Sequence, residues 1–181
     1  MIKKTADDPC MPAKKAAIKL CKFMRLHPRN VSQKTEIIVE HYRSCIMPLI
    51  GGIAKAMVVT DSRLQAVRYM LAFQKYLSEH HYTDVHPLVA FSGTVIDPET
   101  DLEYTEPGMN IDYKNGKHIS ETQLKDRFGS EDYQILLVAN KYQTGYDQPL
   151  LCAMYVDKRL DGVQAVQTLS RLNRIYPGKE T

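Results

Sequence analysis

The last predicted helix of the chain carries a glutamine and two arginines at spacings that bring them together. Gln167, Arg171 and Arg174 are separated by four and then three residues, so they would lie on one face of an α-helix. A guanidinium group stays charged, and its planar fork of donors matches the oxygens of a phosphate. The spacing therefore indicates recognition of a polyanion, although a solvated face with ordinary surface arginines has the same spacing.

A second group of polar residues follows a buried apolar segment. The loop 140–149 contains Gly145, Asp147 and Pro149 directly after a predicted strand at 135–139. Glycine lets the backbone approach a ligand closely, and the carboxylate of Asp147 can accept a hydrogen bond from a ribose hydroxyl or hold a neighbouring arginine. Taken alone this signal is weak, because glycine and aspartate before a proline are also typical of a turn.

Short apolar segments alternate with helical patterns along the chain. Strands are predicted at 55–60, 88–91, 135–139 and 152–156, and helices at 13–26, 32–45, 62–77, 121–128 and 163–175. Pro28 separates the first two helices, and Ser32 and Ser62 are the predicted N-caps of the second and third. The alternation predicts an α/β fold, in which a mostly parallel sheet has helices on both faces.

The carboxyl ends of the predicted strands define the edge at which a ligand should bind. In open parallel sheets the ligand-binding loops lie beyond this edge. The corresponding segments are 60–63, 92–94, 140–147 and the loop before the last helix. On that helix the apolar residues Ala165, Leu169 and Leu172 lie away from Gln167 and are predicted to pack on the sheet.

The segment 94–120 departs from this alternation. It is polar, contains several prolines and glycines, and includes Asn115-Gly116, a strong signal for a two-residue hairpin turn. We interpret it as an inserted loop or hairpin. The predicted organisation is a helical lead or linker at 1–52, followed by an α/β domain at 53–181 that contains this insertion.

Composition and charge place the chain among ordinary globular domains. Its 181 residues are 44% hydrophobic and 25% charged, which suits one domain with a buried core. The net charge of +3 is too small to indicate nucleic-acid binding by itself. Basic residues are concentrated before position 50, and this concentration suits either phosphate contact or a solvated helix surface.

Cysteine and histidine patterns argue against a disulfide framework and a metal site. The four cysteines include no CxxC pair, which favours free thiols in a reducing compartment. His80, His81 and His86 lack a cysteine or carboxylate at a supporting spacing. No apolar run is long enough to span a membrane, and the sequence has no signal-peptide pattern. We therefore expect a cytoplasmic protein without bound metal or membrane contact.

The loop and the last helix together resemble two motifs of the second RecA-like domain of superfamily 2 helicases. The residues that match motif V are Gly145, Asp147 and Pro149. Those that match motif VI are Gln167, Arg171 and Arg174. Thr168, Ser170 and Asn173 depart from the commonest motif VI, Gln/His-Arg-x-Gly-Arg-x-Gly-Arg. In this they resemble the restriction (R) subunits of type I restriction–modification enzymes, and the likeness extends over about residues 27–178.

The resemblance implies a motor in which ATP and Mg²⁺ bind between two RecA-like domains. This chain lacks the phosphate-binding Gly-x-x-x-x-Gly-Lys-Ser/Thr loop of the first domain, so it would be the second domain and inactive alone. Arg174 would then be an arginine finger with Arg171 beside it. The residues implied to line the ATP cleft are Gln167, Gly145 and Asp147. Those implied to contact the DNA backbone are Thr60, Ser62, Arg63, Ser92, Gly93 and Thr144.

The implied partners are double-stranded DNA and the other parts of a type I restriction endonuclease. These parts are the first motor domain and the nuclease domain of the R subunit, together with the methyltransferase and specificity subunits. One alternative is a stand-alone α/β module that binds phosphate or nucleic acid, but the segment 60–63 after the first strand contains no glycine. Another is a basic protein-interaction domain, which would leave the joint occurrence of the two motifs unexplained.

Overall fold

The computed structural model describes residues 13–142 and 146–179. Its helices are α1 (Ala13–Leu26), α2 (Pro28–His41), α3 (Arg63–Glu79), α4 (Glu106–Met109), α5 (Glu121–Gly129) and α6 (Gly162–Leu169). Its strands are β1 (Lys55–Thr60), β2 (Pro87–Ala90), β3 (Thr94–Ile96), β4 (Glu103–Thr105), β5 (Ile135–Val138) and β6 (Leu151–Asp157). A π-helical turn at Tyr42–Ile46 continues α2, and 3₁₀ turns lie at Leu49–Gly52 and Ser170–Leu172.

Four of these strands form a parallel sheet in the order β2-β5-β1-β6. In the register, Leu137 of β5 lies between Val58 of β1 and Val89 of β2. Every side chain of β1 and β5 is buried, which explains why both strands are nearly continuous apolar runs. The predicted α/β class with a mostly parallel sheet is confirmed, and the arrangement is consistent with a RecA-like fold.

Two clusters of buried side chains cover the two faces of the sheet. Successive residues of a strand point to opposite faces, so Val58 packs on one side and Met57 and Val59 on the other. Helices α2 and α3 cover the first face, where Phe73 is buried, and α5 covers the second with Phe128. Full burial of one such side chain contributes about 1.5–3 kcal/mol, so these contacts hold the helices on the sheet.

Most predicted element boundaries are confirmed within a few residues, but the start of the second helix is not. Ser62 caps α3 as predicted, because its Oγ accepts a hydrogen bond of 3.2 Å from the N–H of Gln65. The predicted cap at Ser32 is wrong: α2 begins at Pro28, with His27 as its N-cap. Proline suits the first helical position, where its missing N–H would have no partner within the helix.

The segment 94–120 contains a hairpin, but not where the Asn-Gly pair predicted it. The antiparallel hairpin is β3–β4, whereas Asn115-Gly116 lies in a turn closed by a single bridge between Ile111 and His118. Asn110, from the same segment, pairs with the edge strand β2. Its Oδ1 accepts a hydrogen bond of 2.8 Å from the N–H of Val89, and its Nδ2 donates one of 2.7 Å to the carbonyl of Val89. The buried amide thus satisfies backbone groups that an edge strand would otherwise leave unpaired.

We predict that Asn110→Leu destabilises the fold more than loss of an exposed asparagine. The substitution leaves the buried N–H and carbonyl of Val89 without partners, and should lower the free energy of unfolding by about 3 kcal/mol. Asn115→Leu is the control, because Asn115 also makes two side-chain hydrogen bonds but is exposed. Urea denaturation of both variants measures the difference, and equal losses would contradict a special role for Asn110.

A buried lysine makes stability dependent on pH. Lys55 is 1% exposed, and its Nζ donates hydrogen bonds of 2.6 Å to the carbonyls of Ser130 and Tyr133. Burial lowers the pKa of Lys55 to about 8, from the ordinary value of 10.5. Between these values the unfolded chain binds a proton that the folded chain does not, so raising the pH favours the folded state.

We therefore expect the free energy of unfolding of the wild type, minus that of Lys55→Met, to rise with pH between 8 and 10.5. The slope should not exceed about 1.4 kcal/mol per pH unit for one proton. Taking the difference cancels the titration of other groups that both proteins share. A difference that stays constant across this range would show that Lys55 keeps its ordinary pKa.

Candidate functional site

The loops that follow β1 and β2 meet at the carboxyl edge of the sheet. Arg63, the first residue of α3, donates a hydrogen bond of 2.8 Å from Nη1 to the carbonyl of Ser92. Gly93 has φ +71°, and a Cβ there would lie 3.2 Å from the same Nη1, so both backbone and space favour glycine. Arg63, Ser92 and Gly93 are exposed, and Ser62 is half-buried beside them. The structure therefore brings together four of the residues predicted to contact DNA.

Thr60 belongs to the same edge but lies beneath its surface. Its side chain is buried, and its single hydroxyl hydrogen is shared between the carbonyls of Ser62, 3.1 Å from Oγ1, and Val138, 3.0 Å from it. These contacts tie the loop after β1 to the end of β5. The hydroxyl is thus engaged within the protein, and Thr60 holds the position of its neighbours.

The loop after β5 meets the end of the chain through two arginines. Arg174 Nε lies 2.9 Å from Asp147 Oδ1, and both side chains are well exposed, at 44% and 64%. Arg171 donates a hydrogen bond of 3.3 Å from Nη1 to the carbonyl of Tyr146, whose buried ring anchors this part of the loop. The structure thus joins the two segments that carry the predicted motifs. The predicted residues Thr144 and Gly145 lie outside the described residues.

The predicted last helix is wrong at its carboxyl end. Helix α6 ends at Leu169 and is followed by the 3₁₀ turn Ser170–Leu172, so the three polar residues do not share one helical face. Gln167 lies exposed on α6, Arg171 lies in the turn, and Arg174 follows it. The Ser170 hydroxyl donates a hydrogen bond of 3.1 Å to the carbonyl of Gln167, and serine side chains that bond to nearby backbone compete with helix continuation.

The predicted packing of this segment is confirmed only in part. Leu172 packs against the buried cluster that contains Leu151, as predicted. Leu169 is 44% exposed, so its predicted packing on the sheet is wrong, and Ala165 is half-buried. The other exposed apolar residues here are Val163 and Val166 of α6, each 70% exposed, and Ile175, 87% exposed. A concentration of exposed apolar side chains is typical of an interaction surface.

A lysine that was not predicted from the sequence, Lys179, connects the end of the chain to the segment before β6. Lys179 Nζ donates hydrogen bonds to the carbonyls of Pro149 (3.2 Å), Leu151 (2.7 Å) and Leu172 (2.7 Å). Burial lowers the pKa of Lys179. The lysine therefore holds the stretch around Arg171 and Arg174 against the loop that contains Asp147.

A carboxylate at the end of β6 was also missed. Asp157 accepts hydrogen bonds from Lys34 Nζ (2.6 Å), Gln65 Nε2 (2.7 Å) and the Tyr69 hydroxyl (2.7 Å). These partners lie on α2 and α3, so Asp157 connects both helices to the sheet at its carboxyl edge. An acidic residue directly after an apolar strand was the available signal, but its partners are up to 123 residues away.

The histidines make ring contacts instead of forming a cluster. His80 stacks on Tyr76 and His86 on Tyr113, with ring centroids 4.0 and 3.6 Å apart. Among the described residues, no group of three or more histidine, cysteine or acidic side chains is arranged to hold a metal ion. In the same part of the chain, no helix is both long and apolar enough to cross a membrane.

Comparison with known proteins places these residues in a family context. Residues 104–181 match the family model of the type I restriction enzyme subunit R domain 3. The chain is 29% identical over 163 residues to the putative type I restriction enzyme MjaVIIP endonuclease subunit of Methanocaldococcus jannaschii, covering 88% of this chain and 15% of that protein. It is 30% identical over 131 residues to the putative MjaVIIIP endonuclease subunit of the same organism, covering 70% and 13%.

A bacterial relative gives a similar result. The chain is 26% identical over 129 residues to the type I restriction enzyme HindI endonuclease subunit of Haemophilus influenzae, covering 70% of this chain and 12% of that protein. The chain thus spans about one seventh of the length of these relatives, or less.

Thr60→Val provides a test of the buried hydroxyl. The substitution keeps the shape of the side chain but removes the hydrogen bonds to the carbonyls of Ser62 and Val138, so the free energy of unfolding should fall by about 1 kcal/mol. Ser92→Ala is the control, because loss of an exposed hydroxyl should change it by less than about 0.5 kcal/mol. Denaturant titration measures both. A Thr60→Val protein as stable as the wild type would contradict the positioning role.

Proposed function

We propose that this chain, which belongs to the R-subunit family of type I restriction enzymes, is the second RecA-like motor domain of an ATP-dependent translocase of double-stranded DNA. The proposal rests on one observation above all. Asp147 and Arg174, from the two motifs, form an ion pair of 2.9 Å.

The geometry of Arg174 suits an arginine finger. Asp147 is bound at Nε, and the terminal nitrogens of a guanidinium carry further donors for phosphate oxygens. A finger of this kind stabilises charge that develops during phosphoryl transfer, and in related enzymes it is worth about 10³–10⁵ in rate. ATP and Mg²⁺ would be held mainly by the first motor domain, and Arg174 would reach the γ-phosphate from this side of the cleft.

The neighbouring residues take supporting roles in this proposal. Arg171 supplies a second positive charge beside the finger and holds the loop through the carbonyl of Tyr146. Gln167, exposed on α6, senses the nucleotide, and we assign Gly145 and Asp147 to the same cleft from their match to motif V. Exposed apolar side chains flank Arg174 on both sides in sequence, at Val166 and Ile175, which supports contact with another domain here.

DNA would bind at the carboxyl edge of the sheet, beside the loops after β1 and β2. Exposed Arg63, Ser92 and Gly93 form one group there with half-buried Ser62, and we assign to them, with Thr144, contacts to phosphates of the DNA backbone. Such contacts do not depend on sequence, as a translocase requires. Thr60 would act indirectly, by holding this group in place.

The parent enzyme in this proposal is a type I restriction endonuclease that couples ATP hydrolysis to movement along DNA. Its R subunit would contain the first motor domain and a nuclease domain, and would act with methyltransferase and specificity subunits. This chain alone would not hydrolyse ATP. A stand-alone phosphate-binding module is less well supported, because the loop after β1 offers no glycine-rich phosphate cradle.

The test compares DNA-stimulated ATP hydrolysis by this chain, by the R subunit that includes the first motor domain, and by that subunit with Arg174→Ala. We expect hydrolysis only in the complete subunit, and a loss of about 10³-fold or more in the variant. Arg159→Ala is the matched control, because Arg159 is also an exposed arginine paired with an aspartate, Asp161, at 3.0 Å. Its activity should equal that of the wild type.

Two results would contradict the proposal. Turnover by this chain alone would mean that the ATP site lies elsewhere. Full activity of a folded Arg174→Ala subunit would mean that the last segment does not supply the finger.

A further inference from the structure

A buried carboxylate contacts both the residue after β2 and the start of the loop after β5. Glu106, at the start of α4, is 1% exposed. Its Oε2 accepts a hydrogen bond of 2.8 Å from the N–H of Phe91, and Lys141 Nζ lies 2.9 Å from both carboxylate oxygens. Lys141 also reaches Glu121 Oε2, at 3.1 Å, but Glu121 is 53% exposed. The contact with Glu106 is therefore the buried one.

Each partner of Glu106 lies at the start of a loop that we assign to the proposed site. Phe91 directly precedes Ser92 and Gly93, which we assign to the DNA backbone. Lys141 lies at the start of the loop that leads to Asp147, which we assign to the ATP cleft. Glu106 thus contacts the backbone N–H of Phe91, just before the residues assigned to DNA, and the side chain of Lys141, at the start of the loop assigned to the nucleotide.

The backbone around Lys141 is strained. Asn140 and Tyr142, on either side of it, have φ values of +61° and +62°, in the left-handed region that residues other than glycine rarely adopt. Such conformations cost about 1–3 kcal/mol each and persist only where surrounding contacts hold them. The side chain between them is held by the buried carboxylate, so this ion pair is placed to maintain the strained entry of the loop.

Charge and burial make the pair sensitive to a change in either partner. Burial raises the pKa of Glu106, and the ion pair with Lys141 acts against that rise. For Lys141, burial works to lower the pKa, but the contacts with Glu106 and Glu121 outweigh it and the pKa is raised. Removing Lys141 leaves Glu106 as an uncompensated buried charge, which is strongly destabilising, whereas Lys141 without Glu106 keeps Glu121 as a partner.

We propose that Glu106 and Lys141 are a positioning pair that couples DNA contact to ATP hydrolysis. This inference rests on the proposed function, because it needs the DNA contacts and the arginine finger to lie where we assign them. Neither side chain touches DNA or nucleotide in this proposal. A shift of the loop at Ser92 is transmitted through the backbone N–H of Phe91 to the carboxylate, and from there to Lys141, at the start of the loop that leads to Asp147.

The test uses the complete R subunit and measures ATP hydrolysis with and without DNA, DNA affinity, and melting temperature. Glu106→Gln keeps an acceptor for the Phe91 N–H but removes the charge opposite Lys141. Lys141→Met removes the other charge, and Lys141→Arg restores it. Asp132→Asn is the matched control, because it breaks an ion pair of 2.6 Å with Lys114 before the amino end of β5, away from the site.

We expect the stimulation of hydrolysis by DNA to fall about tenfold in Glu106→Gln and in Lys141→Met, while hydrolysis without DNA and DNA affinity change less than about threefold. Lys141→Arg should recover most of the stimulation, and Asp132→Asn should retain all of it. If Lys141 only filled space, Lys141→Met would keep the stimulation by DNA. Loss in Lys141→Met with recovery in Lys141→Arg therefore shows that the charge is required.

The failure of this inference can be distinguished from the failure of the proposed function. Normal stimulation in folded Glu106→Gln and Lys141→Met proteins would overturn the positioning pair and leave the proposed function standing. Loss of stimulation only in step with a lowered melting temperature, without recovery in Lys141→Arg, would also overturn it. A wild-type subunit whose hydrolysis does not respond to DNA would overturn the proposed function and this inference with it.

Discussion

Burial of β1 and β5 on both faces is the constraint on which the rest of the structure depends. Two central strands without a solvent-facing side require helices above and below the sheet. Parallel strands also require crossover connections, so the loops that follow them emerge at one edge. Arg63 and Ser92, although distant in sequence, are thereby brought into contact at a single edge.

Polar contacts then fix the segments next to both ends of the strands. The Thr60 hydroxyl, the Asp157 carboxylate and the Lys179 ammonium each connect a loop or helix to the ends of the strands. Buried charges are stable only when such partners are in place, so each contact also restricts where its loop can lie. The exposed functional groups, above all Arg174, rest on this network. The exposed apolar residues of α6 are of the kind that is typical of an interaction surface.

Much of the fold could be predicted from the sequence, because its signals are local. The apolar run of β1 and the serine cap of α3 depend on neighbouring residues, and both were predicted correctly. The predicted last helix is too long at its carboxyl end. The regular spacing of its residues does not show that the Ser170 hydroxyl bonds to the backbone carbonyl of Gln167. Joint placement of Asp147 and Arg174 followed from a family resemblance. Glu106, Asp157 and Lys179 were missed because their partners are remote in sequence, and no spacing rule reveals them.

The central claim is that Arg174 completes, from this domain, an ATP site built mainly by another. The most direct measurement is the affinity of the complete R subunit, wild type and Arg174→Ala, for ATP and for ADP with aluminium fluoride, which mimics the transferring phosphoryl group. A finger acts on charge in the transition state, so the variant should lose about 100-fold or more in affinity for the mimic and little for ATP. Equal affinity of both proteins for the mimic would contradict the account.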